Sequence, residues 1–223
     1  MAEKPVLKIS VNEQVYQYLK EQIINNQLPP HTKISVPEFA ESLGVSRMPV
    51  NTALARLQND GYVVILPQSG TYVRELSQEE LRMIFRCRAG MEREILLAYG
   101  DQLDRAQLEE FQRRFLSIYQ QEGCTAEILE ENFSLDVAFH EFVVQKCPEI
   151  ISREVLNIMD LTKRSRILQI QRIIREGSSD RYRREMKTHL DIIGAIIQRD
   201  LTRAGDLLYQ DIMDTCCAAE REV

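Results

Sequence analysis

Gly44-Val-Ser-Arg-Met-Pro-Val-Asn-Thr-Ala-Leu-Ala-Arg-Leu-Gln-Asn-Asp-Gly61 is the stretch that decides the fold. It reads as a tight turn, a helix with Ser46 as its cap, and a glycine stop at Gly61. Val50, Ala53, Leu54 and Leu57 recur at i, i+3, i+4 and i+7, so one helix face is predicted to be buried. Ser46, Arg47, Met48, Asn51 and Thr52 occupy the opposite face near the helix start. In a helix-turn-helix, that end of the second helix meets base edges in the major groove. The segment therefore points toward DNA, and the bland alternative is a small helical subdomain with a polar surface.

Outward from this helix, the preceding residues supply the rest of such a head. Val15, Leu19 and Ile23 lie one turn apart in a helix expected from Asn12 to Asn26, which Leu28-Pro-Pro-His31 stops. Ser35-Val-Pro-Glu38 has the pattern of a capping box and opens a short helix expected to bury Phe39 and Leu43. Gly44 makes the turn, because a positive φ costs glycine little. After Gly61, Val63–Leu66 and Thr71–Val73 read as strands around Pro67-Gln-Ser-Gly70. Three helices and a hairpin in this order predict a winged helix-turn-helix over residues 1–75. His31, in its Pro-Pro loop, is expected to face solvent.

A second capping box, Ser77-Gln-Glu-Glu80, starts a different pattern that contains no strand. Helices are expected over Gln78–Gly100, Arg105–Glu122, Thr125–Lys146, Glu149–Glu176, Asp180–Arg199 and Thr202–Glu220. Gly123, Pro148, Gly177-Ser-Ser and Asp200 separate them. The fold class is thus mostly α: a winged head followed, over 76–223, by a six-helix antiparallel bundle.

Composition narrows the function classes. With 44% hydrophobic and 28% charged residues, the chain is ordinary globular material. No apolar run approaches about 18 residues, so no membrane span is expected, and the N-terminal residues lack the apolar core of a signal peptide. The five cysteines (87, 124, 147, 216 and 217) form no CxxC pair, which fits free thiols in the cytoplasm. Adjacent Cys216 and Cys217 have no partner spacing for a redox or metal site. The net charge of -6 offers no general attraction to nucleic acid. Seven Lys or Arg balance seven Asp or Glu through Glu75, so the bundle carries the whole excess. Few phosphates would be neutralised per subunit, and affinity for DNA would lean on dimerisation.

Within the bundle, polar residues interrupt apolar stripes. Asp136 and His140 sit one turn apart beside Phe133, Val137 and Val144. His189 falls in the stripe Met186, His189, Ile193, Ile196, and Asp211 lies among Leu207, Leu208 and Ile212. A carboxylate on an apolar face needs a partner. The four could coordinate a divalent cation through two imidazoles and two carboxylates, or each could be satisfied separately by hydrogen bonds. Arg88, on the stripe Ile84, Arg88, Met91, Ile95, should also point inward. Its fork of donors suits either a ligand carboxylate or Glu92 one turn away. Arg164 and Arg166 are further candidates between which nothing in the sequence selects.

These motifs carry a family resemblance. Val45-Ser-Arg-Met-Pro-Val-Asn-Thr-Ala-Leu54, Leu57, Asp60-Gly61 and Gly70-Thr-Tyr-Val73 resemble the GntR family of bacterial transcription regulators. The bundle resembles the ligand-binding FCD domain of its FadR subgroup, and six helices make it similar to the VanR branch. The likeness runs from about Val11 to Cys217. It implies a homodimer that binds a palindromic operator and usually lets go when a small organic acid binds. By this resemblance Arg47 contacts DNA, Gly70 is the wing tip and Arg88 faces the effector. Asp136, His140 and His189 match metal ligands. Asp211, 211 − 189 = 22 residues after His189, stands where the family's metal-binding version has a third histidine.

Two departures follow. Asn51 replaces a common arginine; asparagine pairs with adenine where arginine pairs with guanine, so it either shifts the operator sequence or only touches phosphate. The divalent metal could be zinc, manganese, iron, nickel or magnesium; an oxygen ligand at position 211 favours manganese, iron or magnesium over zinc, or goes with loss of the metal. Two other functions compete: a metal-dependent hydrolase built on Asp136, His140 and His189, and a regulator with no small-molecule input. No nucleophile or general base stands out beyond the ligands, so an enzyme is not expected.

Overall fold

A computed structural model describes residues 9–121, 125–176 and 180–219. Two compact units divide it, 1–76 and 77–223. Expected breakers Gly123 and Gly177–Ser179, and Cys124, lie outside the described residues.

The first unit contains α1 (Val11–Ile24), β1 (Lys33–Ile34), α2 (Val36–Ser42), α3 (Arg47–Asn59), β2 (Val63–Leu66) and β3 (Gly70–Val73). Ser10 caps α1 by accepting the Glu13 amide. Val15, Leu19 and Ile23 of α1 are buried together with Val50, Ala53, Leu54 and Leu57 of α3. These faces form the core of the head, and each fully buried aliphatic side chain stabilises it by about 1.5–3 kcal/mol. A polar clamp fixes α1 against α3. The Arg56 guanidinium lies 3.7 Å from the centre of the Tyr16 ring, Arg56 Nη1 donates to Glu13 at 2.6 Å, and the Tyr16 hydroxyl donates to Asp60 at 2.6 Å.

Several local expectations change. The hairpin is part of a three-stranded antiparallel sheet ordered β1-β3-β2, with Lys33 opposite Tyr72 and Val63 opposite Val73. A two-residue strand shows no alternation, so the sequence hid it. Ser35 and Ser46 stand at N-cap positions, but neither side chain makes a capping hydrogen bond. In α2 it is Ala40 that is buried, with Phe39 and Leu43 only half-buried. Gly44 takes the positive φ of 64° that the helix-to-helix turn needs. In the wing, Gln68 adopts the left-handed conformation (φ 62°), and Gly70 begins β3 instead.

The second unit has no strand among its described residues and consists of α4 (Gln78–Tyr99), a 3-10 turn (Gly100–Gln102), α5 (Arg105–Tyr119), α6 (Ala126–Val144), α7 (Glu149–Glu176), α8 (Asp180–Ile197), α9 (Leu201–Ala219) and short connections. Both halves of the Ser77–Glu80 capping box form. Phe85, Phe115, Phe139, Leu135, Met186 and Ile193 anchor the core. Helix α4 packs closely on α9 at Gly205, where a Cβ would meet Arg93 Cγ at 3.2 Å. Ion pairs Glu141–Lys163 and Asp136–Arg166 set α6 and α7 antiparallel, since one position rises as the other falls. No helix among the described residues is long and apolar enough to cross a membrane.

Candidate functional site

The exposed face of α3 gathers the residues expected to meet DNA. Ser46, Arg47, Met48, Asn51 and Thr52 are all exposed, and Met48 is 71% accessible. Burial of the opposite stripe against α1 holds this face outward. Backbone N–H groups at the start of the helix add a partial positive charge suited to a phosphate. Thr52 donates to the Met48 carbonyl at 3.0 Å, leaving its oxygen lone pairs as the outward function. Arg56 is drawn into the clamp with Tyr16 and Glu13, which reduces the cations offered by the helix.

The wing carries a residue that the sequence did not single out. Lys33 on β1 lies across Gly70: a Cβ at Gly70 would sit 2.9 Å from Lys33 Cε. Gly70 has φ 122°, so its lack of a side chain both permits the backbone and seats this lysine. Lys33 Nζ lies 5.8 Å from the centre of the Tyr72 ring. Only the pairing of β1 with β3, across nearly forty residues of chain, brings Lys33 to the wing; no local motif signals it.

The second site is buried in the bundle. Asp136 and His140 of α6, His189 of α8 and Asp211 of α9 are all buried, and their ligand-type atoms lie within 4.8 Å of one another. Donors about 2.1 Å from one ion span at most about 4.2 Å, so this is close to a coordination sphere. His140 Nδ1 donates to Glu92 at 2.5 Å, and His189 Nδ1 donates to the Glu185 carbonyl at 2.8 Å. Each histidine therefore turns Nε2 toward the common centre. This is the outer-shell arrangement that orients a metal-ligating imidazole.

The centre itself is poorly satisfied by protein. Asp136 Oδ1, His140 Nε2 and His189 Nε2 are buried without a hydrogen-bond partner. His189 Nε2 is 3.1 Å from Asp136 Oδ1, but the angles are not those of a hydrogen bond. Three orphaned polar atoms facing one point are rare in a folded core. Two imidazoles and two carboxylates fit a divalent cation of borderline or hard character.

Buried ion pairs surround the centre. Arg88 Nε donates to Glu92 at 2.6 Å and Arg88 Nη1 to Thr162 at 3.0 Å. Of its two expected partners, Arg88 thus has Glu92 here. Arg166, which the sequence could not separate from Arg164, is the buried one and donates to Asp136 Oδ2 at 2.6 Å. Arg164 is half-buried. Glu92 is expected from the sequence only as a partner for Arg88, and its link to His140 across 48 positions is a purely tertiary fact.

Electrostatics follow from these contacts. Burial would raise the Asp136 carboxyl, but the Arg166 and His140 charges hold it well below the usual carboxylate range. Burial opposes protonation of His189, yet Asp211 and Asp136 push it up to about 9. His140 is raised in the same sense, chiefly by Glu92 against burial. Without a metal, the imidazoles are tuned to hold protons between carboxylates, and a cation would have to displace them.

Comparison with known proteins identifies both units. Residues 11–73 match the bacterial regulatory proteins of the gntR family, and residues 83–213 match the FCD domain. The chain is 25% identical to the HTH-type transcriptional repressor RspR of Escherichia coli K12, covering 85% of this chain and 80% of that one. It is 26% identical to the repressor GlaR of the same organism, covering 89% and 90%. Among solved structures, E. coli McbR/YncC superposes with a TM-score of 0.73 at 18% identity, covering 96% and 99%. A GntR regulator from Rhodococcus sp. RHA1 gives 0.72 at 19%, covering 95% and 98%. With a winged head whose α3 turns a polar face to solvent and a helical domain that follows it in the chain, the chain belongs to the gntR family of bacterial transcription regulators, in the group that carries an FCD domain.

Proposed function

We propose that the protein is a repressor that acts as a homodimer in the cytoplasm on a palindromic operator. Its hold on DNA responds to a small carboxylate bound beside a divalent cation in the FCD domain. In this reading Arg47, Met48, Asn51 and Thr52 reach base edges, Ser46 and the start of α3 hold a phosphate, and the wing enters the minor groove at Gly70 with Lys33 on the backbone. The observation that carries the DNA half is the outward face of α3 within a gntR match.

Asp136, His140, His189 and Asp211 would hold the cation, a reading supported by the three orphaned atoms at their centre. Such an ion supplies a positive pole for a ligand carboxylate. The chain's own residues set the rest: Glu92 and the Glu185 carbonyl aim the imidazoles, and Arg166 steadies Asp136. Arg88 stands behind Glu92, and its part in effector binding acts through that carboxylate. A ligand alters DNA affinity only by preferring one of two arrangements of the dimer.

Competition binding of the purified protein against a random duplex library tests the DNA half. A salt-sensitive preference for palindromic sequences is expected; uniform binding overturns it. Elemental analysis of wild type and His189→Ala tests the metal. Stoichiometric metal in the first and a strong loss in the second are expected, and negligible content in both sinks the site.

A further inference from the structure

The two sides of the metal-type layer differ in a way that bears on what the effector is. Helical register places one polar layer on each side of Asp136, His140, His189 and Asp211. On one side lie Arg88, Glu92 and Thr162. Every one of them is engaged: Glu92 accepts from Arg88 and from His140, Arg88 also reaches Thr162, and the Thr162 hydroxyl donates to the Met159 carbonyl at 2.7 Å. That side is closed.

On the other side, Asn132 lies one turn before Asp136 on α6. Gln169 follows Arg166 on α7, and Thr215 follows Asp211 on α9. Since α7 runs antiparallel to α6, Gln169 advances in the direction of Asn132. Gln169 Nε2 donates to the Thr215 carbonyl at 3.0 Å, which ties α7 to α9 in that layer. Asn132 is only 6% exposed, and its Oδ1 is buried without a partner. Leaving such an acceptor unmade is costly, so a group that donates to it is expected in the working protein.

Charge distinguishes the two flanks of the metal layer. The buried groups of the metal layer and its closed flank are Glu92, Asp136 and Asp211 against Arg88 and Arg166, a sum of -1. A divalent cation brings that to +1, which matches one carboxylate. Beyond it stand the Asn132 acceptor and the Glu185 carboxylate, 3.9 Å from Arg166 Nη2. Arg166 stands between two carboxylates that offset its charge, donating Nη1 to Asp136 and lying beside Glu185. A second carboxylate on the ligand would meet an acceptor and a like charge there.

Resting on the effector reading above, we infer that Asn132 is a specificity-determining residue, and that the effector is a monocarboxylate bearing a hydrogen-bond donor, a hydroxyl or an ammonium, rather than a dicarboxylate. Its carboxylate goes to the cation and its donor goes to Asn132 Oδ1. One helical turn, about 5.4 Å, separates the Asn132 and Asp136 positions, so one small molecule spans both.

Calorimetric titration of the metal-loaded full chain, repeated on metal-free protein, provides the test. The probes share a skeleton: propionate, 3-hydroxypropionate, β-alanine and malonate, then butyrate, 4-hydroxybutyrate, 4-aminobutyrate and succinate. The hydroxy or amino acid of one length should bind about tenfold tighter than the unsubstituted acid, the worth of one buried hydrogen bond. The dicarboxylates should bind no tighter than the unsubstituted acids. Asn132→Leu should erase the tenfold difference, while Asn132→Asp should keep it and favour the amine over the hydroxyl. Tightest binding by malonate or succinate overturns the monocarboxylate assignment, and a ranking unmoved by Asn132→Leu in protein that still holds metal overturns the role of Asn132; either leaves the effector reading above standing. If no probe binds in either metal state, the carboxylate-effector reading fails together with both.

Discussion

The head and the bundle place their proposed functional residues in opposite environments. On α3, Arg47, Met48, Asn51 and Thr52 stand in solvent, while a separate stripe of Val50, Ala53, Leu54 and Leu57 carries the packing. In the bundle, Asp136, His140, His189, Asp211, Glu92 and Arg88 are themselves core residues. Exposed residues of that face can change without disturbing the fold, so under the proposed DNA-reading role operator preference can drift while the scaffold stays. Buried ionic residues are coupled, because each one neutralises or orients another. Change there alters stability, metal and ligand together.

The largest expected effect therefore lies in the bundle. Glu92→Leu strands the Arg88 guanidinium in the core and removes the acceptor that aims His140. A destabilisation of about 3–5 kcal/mol should appear in urea unfolding. The double variant Arg88→Met, Glu92→Leu should recover much of it, since no lone charge is left buried. A failure of the double variant to recover would mean the pair is not the unit that matters.

Next comes the link between the outer and inner shells. Glu92→Gln keeps the shape but weakens the grip on His140 Nδ1. Metal affinity should fall about 10–100-fold, measured by chelator competition. An unchanged affinity would separate Glu92 from the metal layer.

In the head, Asn51→Ala should cost about 1–3 kcal/mol of discrimination at one base position if the amide reads adenine. Binding-site selection on wild type and variant resolves this; a uniform loss across sequences would assign Asn51 to phosphate. Neither outcome should move the unfolding midpoint, and a shift there would blur the contrast drawn between head and bundle.

The pH dependence of the bundle should reverse with metal. His189 holds its proton up to about 9 when folded and near 6.5 when unfolded. Its contribution to metal-free stability is thus complete below 6.5 and is lost as pH rises through about 9. Asp136, Asp211 and Glu92 act in the other sense, with folded values lowered. Their contribution is present above the ordinary carboxylate range and lost as pH falls through the folded values. Metal-free protein should therefore be most stable in mildly acidic solution and weaken toward pH 9. Metal-loaded protein should gain over the same interval, because binding displaces those protons. Melting curves at a series of pH values, with and without chelator, would show it.

The smallest effect is assigned to Lys33. Lys33→Ala should weaken operator and random DNA alike and lower the salt dependence by about one counterion. A sequence-selective loss would place it at a base rather than at the backbone.

Much of this architecture was legible in the chain. The α3 stripe, the Ser77–Glu80 box and the bounds of α7 follow from periodicity and capping, which act over a few residues. The inward direction of Asp136, His140, His189 and Asp211 was also readable, because each interrupts an apolar stripe. Strand β1 was not, since two residues carry no period and pair with a strand far along the chain. The serine caps at Ser35 and Ser46 were over-read: the residue types suit the position, yet neither side chain bonds the helix amides.

The sequence by itself thus determined the kind of molecule, a winged reader followed by a helical bundle, because local spacing dictates which faces must be hidden. Only the tertiary structure decided which buried groups meet. It paired Arg88 with Glu92, turned both imidazoles toward one point, chose Arg166 over Arg164, and left Asn132 Oδ1 unsatisfied. Such contacts join residues dozens of positions apart, and their energies depend on distance and burial, which no local pattern encodes.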